Sequence, residues 1–193
     1  MFEFLRGTIA GMNPASVVID VGGIGFWVNI SLNTYSKITG KKEAQLLIHQ
    51  IVREDAQILY GFAEKRERDL FRNLISVNGV GAGTAIMMLS SLNPDEIVAA
   101  ITTGNADELK AVKGIGAKTA QRIIVDLRDK LGKLPESSQI LISTDNTLRN
   151  ESLSALVMLG FAKKDADKAV SKIMQDDPEA TVESVIKTAL KRL

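Results

Sequence analysis

A twelve-residue pattern occurs twice in this chain, and its residue types suit hydrogen bonding between the main chain and an anion. Residues 74–85 and 109–120 share the pattern L-x-x-V-x-G-[V/I]-G-A-x-T-A at an offset of 35 residues. Glycine adopts backbone conformations that other residues avoid, and its missing side chain lets another molecule approach the main chain closely. The repeat therefore predicts two equivalent sites for a ligand held by amide N–H groups.

The elements expected around each glycine pair indicate the kind of ligand. A helix ending near Val77 or Val112 leads into the glycines, and a second helix follows them. The first amides of a helix lack intrahelical acceptors and the helix dipole favours negative charge there, so such a turn can bind phosphate without reading bases. This arrangement is the helix-hairpin-helix motif. Its predicted DNA-binding residues are Gly79, Val80, Gly81, Thr84, Gly114, Ile115, Gly116 and Thr119.

Other interpretations of the glycines fit the sequence less well. A Rossmann dinucleotide site needs its glycines after a strand, whereas these glycines follow a helix. No GxxxxGK[ST] sequence occurs, so we expect no P-loop ATPase activity from this chain. The alternative is a tight turn between two helices that binds nothing. In both cases Val80 and Ile115 are expected to anchor the turns in the core.

Two cationic side chains accompany the second glycine pair. Lys118 lies next to it, and Arg122 lies one helical turn further on, on the same helix face. Both are predicted to make charge-assisted contacts with phosphate, although a solvated lysine or arginine is the alternative. The first copy has Gly83 at the position of Lys118, so the two copies carry different charge.

Two acidic residues are predicted at the tip of a β-hairpin. Glu54 and Asp55 lie between the last two strands of the N-terminal part. Negative charge held there would repel DNA phosphates and could guide or separate strands, whereas ordinary turn acids are the alternative. The chain has no cysteine and a single histidine, His49, which we interpret as a structural strand residue. Thiolate chemistry, a multi-histidine zinc site and a bound cofactor are therefore not expected.

The composition indicates a folded, non-membrane protein. The chain has 193 residues, 45% of them hydrophobic, and a formal net charge of +1. It contains no apolar run long enough to cross a bilayer and no secretory signal, so we expect a cytoplasmic location and no membrane partner. Because the charge is nearly balanced, any DNA binding must depend on local placement of cations.

Hydrophobic periodicity divides the chain into a β part followed by helical parts. Five or six short strands indicate a small barrel, Gly22-Gly23 suits a tight hairpin, and Asn93 and Asn105 are typical helix caps. The predicted parts are a barrel at 1–63, a helical domain with both motifs at 64–133, a flexible linker at 134–146 and three short helices at 147–193.

Four motifs in this order resemble the RuvA family, the Holliday junction-recognition subunits of the bacterial branch-migration complex. They are REDAQILYGF at 53–62, NGVG at 78–81, GIGAKTA at 114–120 and LGF at 159–161. The resemblance covers the whole chain. It implies a multidomain fold: an oligonucleotide-binding (OB) type barrel, a central domain with two helix-hairpin-helix motifs and a C-terminal three-helix domain. It also implies that Glu54 and Asp55 form an acidic pin.

The same resemblance implies an assembly and its partners. Four copies would form a homotetramer that holds a four-way DNA junction open and planar, with one tetramer or an octamer on the junction and the pins at the crossover. The C-terminal domain would bind the hexameric RuvB ATPase through a flexible tether, and the RuvC resolvase would join a larger complex. The subunit itself would have no catalytic residues. Candidate RuvB contacts are Leu156, Leu159, Phe161 and Met174.

The chain departs from the family at one place, and two other classes of function stay open at this point. The family commonly has Pro-Lys where this chain has Ala82-Gly83, which removes one expected phosphate-facing cation. A helix-hairpin-helix glycosylase, nuclease or ligase fragment would need a catalytic lysine, aspartate or metal-binding acids in a cleft. A protein-only scaffold would use the same turns for packing.

Overall fold

The N-terminal part of the chain folds into a five-stranded barrel. The computed structural model describes residues 2–132, 144–177 and 180–192. The strands are β1 (Phe4–Asn13), β2 (Ser16–Val21), β3 (Ile24–Ile30), β4 (Glu43–Val52) and β5 (Gln57–Phe62). They close in the order β1-β2-β3-β5-β4, and all pairs are antiparallel except β3 with β5. The predicted barrel is confirmed.

Successive side chains of each strand point to opposite faces of the sheet, so every second side chain packs inside the barrel. Its fully buried core includes Val17, Ile19, Val28, Ile30, Leu46 and Ile48. Gly22 and Gly23 between β2 and β3 have φ angles of 64° and 91°, as the predicted tight hairpin requires. On the outer surface of β3, the side chain of Trp27 is 61% exposed.

A short helix between β3 and β4 is not predicted by the sequence. This helix, α1, spans Leu32–Ile38 and begins at Ser31, whose Oγ accepts a hydrogen bond from the amide of Thr34 at 3.0 Å. The helix contains threonine, tyrosine and isoleucine, types that are common in strands. At seven residues, it is too short for helical periodicity to reveal it.

The region after the barrel is helical, as the sequence predicts, and residues 65–131 form five helices. They are α2 (Lys65–Ile75), α3 (Ala82–Ser91), α4 (Pro94–Thr103), α5 (Ala106–Lys110) and α6 (Ala117–Leu131). Asn93 and Glu96 form a reciprocal capping box at the start of α4, with Pro94 in the first turn. Asn105 caps α5 by accepting from the amide of Glu108. Both predicted helix starts are confirmed.

The helices and the barrel belong to one compact unit, Met1–Pro135. The helical core contains Phe62 from β5 together with Leu70, Phe71 and Leu74 from α2. The rings of Phe62 and Phe71 lie 5.0 Å apart, centroid to centroid. The boundary predicted at residue 63 therefore separates two kinds of secondary structure with separate cores, and Phe62 of β5 packs into the helical one.

The second compact unit, Glu136–Leu193, contains three helices. They are α7 (Thr144–Met158), α8 (Lys163–Asp176) and α9 (Val182–Arg192). Their core includes Leu156, Ala166, Val170, Ile173, Val185 and Ala189. Most of the predicted linker, residues 134–143, lies outside the described residues, and the last three linker residues belong to α7. Threonine, aspartate and asparagine occur both in linkers and at helix starts, so composition could not separate the two.

Candidate nucleic-acid interface

The repeated glycines lie in two turns of nearly identical conformation. Hairpin 1 is defined as residues 76–81, between α2 and α3, and hairpin 2 as residues 111–116, between α5 and α6. Gly79 and Gly114 have φ angles of 92° and 93°, in the region that favours glycine. Gly81 and Gly116 are extended, with φ/ψ of −82°/165° and −83°/166°. The repeat in the sequence is thus a repeat in structure.

The residue between the two glycines anchors each turn. Val80 and Ile115 are buried in the helical core. The Val80 amide donates to the carbonyl of Val77 at 3.0 Å, and the Ile115 amide donates to that of Val112 at 3.1 Å. These two amides are therefore engaged inside their turns.

Open amide groups lie instead at the start of the helix that follows each turn. Gly81 and Gly116 are the N-caps of α3 and α6, and neither N-terminus has a side-chain cap. By contrast, serine or asparagine side chains cap α1, α4 and α5. The first-turn amides of α3 and α6 extend to Thr84 and Thr119, which are half-buried. Such amides have no intrahelical acceptor and carry the positive end of the helix dipole.

The surroundings of Gly81 and Gly116 are empty. A Cβ atom built on either residue would meet no heavy atom within 4 Å, and both residues have a φ that any amino acid can adopt. Neither backbone conformation nor internal packing therefore requires glycine at these positions. Glycine leaves the main chain accessible to a molecule from outside.

Cationic side chains are distributed unequally between the hairpins. Lys118 and Arg122 are exposed on α6, as predicted. A guanidinium nitrogen of Arg122 donates to the carbonyl of Asn78 in hairpin 1 at 3.2 Å, so this side chain reaches from the second motif to the first. Lys113, inside hairpin 2, is also exposed and was not among the predicted site residues. The sequence signal was available, because Lys113 occupies the variable position of the repeat where hairpin 1 has Asn78.

Glu54 and Asp55 lie at the tip of the hairpin between β4 and β5, where both are exposed. The Arg53 amide donates to the carbonyl of Ala56 at 2.8 Å, which closes the turn. The structure therefore places both carboxylates together in solvent at one end of the barrel.

His49 has the structural surroundings that the sequence suggests. Its ring packs edge-on against Phe71 with centroids 5.4 Å apart, and Arg72 Nε lies 3.4 Å from its Nδ1. Burial, and then the positive charges of Arg72 and Arg68, lower the pKa of His49 below its usual value of 6.5. The lowered pKa favours the neutral form of the imidazole between β4 and α2.

The candidate partner residues of the C-terminal unit differ in exposure. Leu156 is fully buried in the three-helix core, which corrects its place among surface contacts. Helical spacing places Leu156 on the apolar face of α7 but does not tell which residues of that face the other two helices cover. Leu159 is exposed, and Phe161 and Met174 are half-buried. Met158, beside Leu159, is the most exposed of the large apolar residues that the structure describes.

The described ranges contain no metal-binding cluster of acidic or histidine side chains and no helix able to span a membrane. In residues 2–132, 148–177 and 180–192, no group of three or more histidine, aspartate or glutamate side chains could hold a metal ion. Among the helices in these same ranges, none combines the length and the apolar character needed to cross a membrane.

Comparison with known proteins identifies relatives over the full length of the chain. A protein of Bacteroides thetaiotaomicron is 51% identical over 201 residues, one of Christiangramia forsetii is 50% identical over 193 residues and one of Flavobacterium psychrophilum is 48% identical over 193 residues. Each alignment covers 100% of both chains. All three relatives are named Holliday junction branch migration complex subunit RuvA. The chain belongs to the RuvA family.

The RuvA family regions coincide with the structural elements described above. The RuvA N terminal domain matches residues 1–61, which form the barrel, and the RuvA C-terminal domain matches residues 147–193, which include most of α7 and all of α8 and α9. A SAM-like helix-hairpin-helix tandem matches residues 71–129, which contain both hairpins. The predicted fold class and the resemblance stated from the motifs are confirmed.

Proposed function

We propose that this chain is the non-catalytic DNA-binding subunit of a Holliday junction branch migration complex. Four copies form a tetramer that holds a four-way junction open and planar, in the cytoplasm where bacterial chromosomal DNA lies. The membership of the RuvA family and the names of the relatives support this function. The observation that carries it is the pair of glycines, Gly81 and Gly116, that neither backbone conformation nor packing requires.

Each hairpin would bind one stretch of DNA backbone through main-chain donors. The open amides at the start of α3 and α6 would point at phosphate oxygens, and the helix dipoles would favour the negative charge. Contacts of this kind position the protein on DNA without reading its sequence. Lys113, Lys118 and Arg122 would add charge-assisted contacts, mainly at hairpin 2.

The acidic pin would act by repulsion. Glu54 and Asp55 are exposed side by side at a hydrogen-bonded turn, and four such turns would meet at the crossover of the junction. Phosphates crowded near the pins would be pushed outward, which would keep the strands apart at the point where they exchange. Because charge at short range is poorly screened, this effect would persist at physiological salt.

The C-terminal unit would connect the junction to a motor. Its exposed apolar residues Met158 and Leu159, with the half-buried Phe161, offer an apolar surface at the end of α7. We assign this surface to the RuvB ATPase, which would supply the energy for branch migration, with the RuvC resolvase as a further partner of the larger complex.

Substitution of the two unexplained glycines tests the proposal. A Cβ atom at Gly81 or Gly116 would intrude into the space that a phosphate needs, so Gly81→Ala and Gly116→Ala should each weaken binding to a synthetic four-way junction by about tenfold, which corresponds to about one charge-assisted hydrogen bond. Gel-shift titration measures the affinity, and circular dichroism checks the fold.

The control is Gly11→Ala on β1, where an added Cβ also meets no atom within 4 Å. Its junction affinity should match that of the parent protein. Unchanged affinity in both hairpin variants would contradict phosphate binding by these turns. Equal affinity of the parent for the junction and for a linear duplex of the same length would contradict junction recognition.

A further inference from the structure

The barrel helix α1 is bonded to the C-terminal end of α3. Nδ2 of Asn33 donates to the carbonyls of Leu89 and Leu92, the second at 3.1 Å. The amide of Leu32 donates to Oγ of Ser90 at 3.1 Å. The last carbonyls of a helix have no intrahelical partners. Asn33 therefore satisfies the end of α3 that lies opposite hairpin 1.

The same helix is bonded to α2, the other helix of the first motif. The hydroxyls of Ser31 and Thr34 both donate to the carboxylate of Glu67, and the bond from Thr34 is 2.7 Å long. All three side chains are fully buried. Oγ1 of Thr34 also accepts from the amide of Ala63 at 3.0 Å, which ties in the end of β5. A buried carboxylate with satisfied partners tolerates little displacement, because any lost bond would leave it unpaired.

The helix that follows hairpin 2 does not end at the positions that correspond to the end of α3. Positions 124, 125 and 127 correspond in the repeat to Leu89, Ser90 and Leu92, but α6 continues to Leu131. The carbonyls at those positions therefore lie inside a helix and are not terminal groups available to a neighbouring side chain. The end of α3, by contrast, is bonded to α1 of the barrel.

We propose that α1 is a positioning element that fixes the direction of hairpin 1 relative to the acidic pin of the same subunit, and that Asn33 is a positioning residue for recognition of four-way junctions. The pin belongs to the β4–β5 turn of the barrel, and α1 joins β3 to β4 of that barrel. Through Asn33 and Glu67, both helices around hairpin 1 are held by one short segment of the barrel. The inference rests on the proposed function, because it concerns how the pin and hairpin 1 act on the same junction.

Rigid placement matters for a junction and not for a linear duplex. A duplex needs only phosphate contacts, which each hairpin makes locally. A junction presents its crossover and its arms in a fixed arrangement, so the pin and hairpin 1 must fit it simultaneously. Movement of α3 on the barrel would therefore lower affinity for the junction selectively.

The test uses two charge-matched substitutions on α1. Asn33→Asp preserves the shape of the side chain, removes the donor and places a negative charge at the negative end of α3. Ser36→Asp places the same charge on an exposed position of α1, where the native hydroxyl bonds only to Leu32 within the helix. Asn33→Ala removes the donor without adding charge. Circular dichroism and thermal unfolding establish that each variant is folded.

The first measurement needs no DNA. Because the chain has no cysteine, spin labels can be introduced at Gln57→Cys beside the pin and Met87→Cys on α3, with labelled subunits diluted into unlabelled protein. Pulsed electron resonance should give one narrow distance for the parent and for Ser36→Asp. Both Asn33 variants should show a shifted or broadened distance. Identical distributions in the parent and the Asn33 variants would overturn the positioning role.

The second measurement is the ratio of junction affinity to duplex affinity. Both Asn33 variants should lower this ratio by about tenfold, the effect of about one or two weakened hydrogen bonds, with duplex affinity unchanged. Ser36→Asp should leave the ratio unchanged. Equal losses on junction and duplex would indicate a general defect and overturn the inference, as would an unchanged ratio. A parent protein without junction preference would instead refute the proposed function, whatever the spin-label distances show.

Discussion

At the scale of single residues, the paired glycines of each hairpin meet different requirements. Gly79 and Gly114 supply a positive φ that the turn needs, whereas Gly81 and Gly116 leave open space in front of an ordinary backbone conformation. The positive φ is a requirement of folding. The open space is what the proposed binding of phosphate would require.

Stability measurements should separate these two requirements. Gly79→Ala should lower the free energy of unfolding by about 1–2 kcal/mol, because an L-residue is strained at positive φ. Gly81→Ala should lower it by less, about 0.5 kcal/mol, because its Cβ meets no atom and only the preference of an N-cap for glycine over alanine is lost. Urea denaturation of both variants measures the difference. Equal losses of stability would show that the two glycines are not distinct in this way.

The single histidine gives a second prediction for one residue. Its pKa is lowered by burial and by the neighbouring arginines, so the unfolded chain binds the proton more tightly than the folded chain. The contribution of His49 to stability is therefore complete above pH 6.5 and is lost as the pH falls through the lower pKa of the folded state. NMR titration of the only imidazole should give a midpoint below 6.5. A midpoint above that value would contradict the packing against Phe71.

At the scale of elements, the first turns of α3 and α6 have the same backbone conformation but carry different side-chain charge. Lys118 has Gly83 as its counterpart on α3, and an added Cβ at Gly83 meets no atom within 4 Å. Hairpin 1 would therefore depend more on main-chain donors than hairpin 2 does.

A lysine at position 83 should give hairpin 1 the cation that Lys118 supplies beside hairpin 2. Gly83→Lys should increase junction affinity at low salt and steepen the plot of log K against log salt by about 0.9, the value for one additional phosphate contact. Gel shifts over a range of salt concentrations measure the slope, and Gly11→Lys on the barrel is the matched control. An unchanged slope would show that position 83 does not face phosphate.

The elements were predictable from sequence where local signals decide them. Strand alternation, the glycines between β2 and β3 and the caps Asn93 and Asn105 specify structure within a few residues. Helix α1 was not predictable, because its stability comes from Ser31, Asn33 and Thr34 bonding to distant parts of the chain. The contact from Arg122 to Asn78 spans 44 residues, and periodicity contains no information on such pairs.

At the scale of the whole molecule, the chain consists of two units with separate cores. The first unit contains the barrel, the acidic pin and both hairpins, which are all the residues that we assign to DNA. The second unit contains the surface that we assign to the motor. The two activities should therefore be separable by truncation.

Removal of residues 136–193 should preserve junction binding and abolish stimulation of the RuvB ATPase. The remaining unit retains its barrel and helical cores, so it should fold. Gel shifts measure the binding, and ATP hydrolysis in the presence of junction DNA measures the stimulation. Undiminished stimulation would refute the assignment of the motor contact to the C-terminal unit.

Neutralising the acidic pins should change branch migration without weakening DNA binding. Glu54→Gln combined with Asp55→Gln removes repulsion, so affinity for DNA should be retained or increased while the rate of branch migration changes. Junction binding and strand-exchange assays with RuvB measure the two effects. Loss of binding by an intact tetramer would mean that the carboxylates make favourable contacts.

The exposed indole on β3 has a practical consequence for watching assembly. Trp27 is the one tryptophan of the chain, so the intrinsic emission of the protein above the tyrosine band originates from a single spot on the outer barrel wall. A blue shift at increasing protein concentration would report that the indole has become buried from solvent. Quenching by added iodide would report that it is still exposed. The native protein is therefore its own optical probe, with no dye attached.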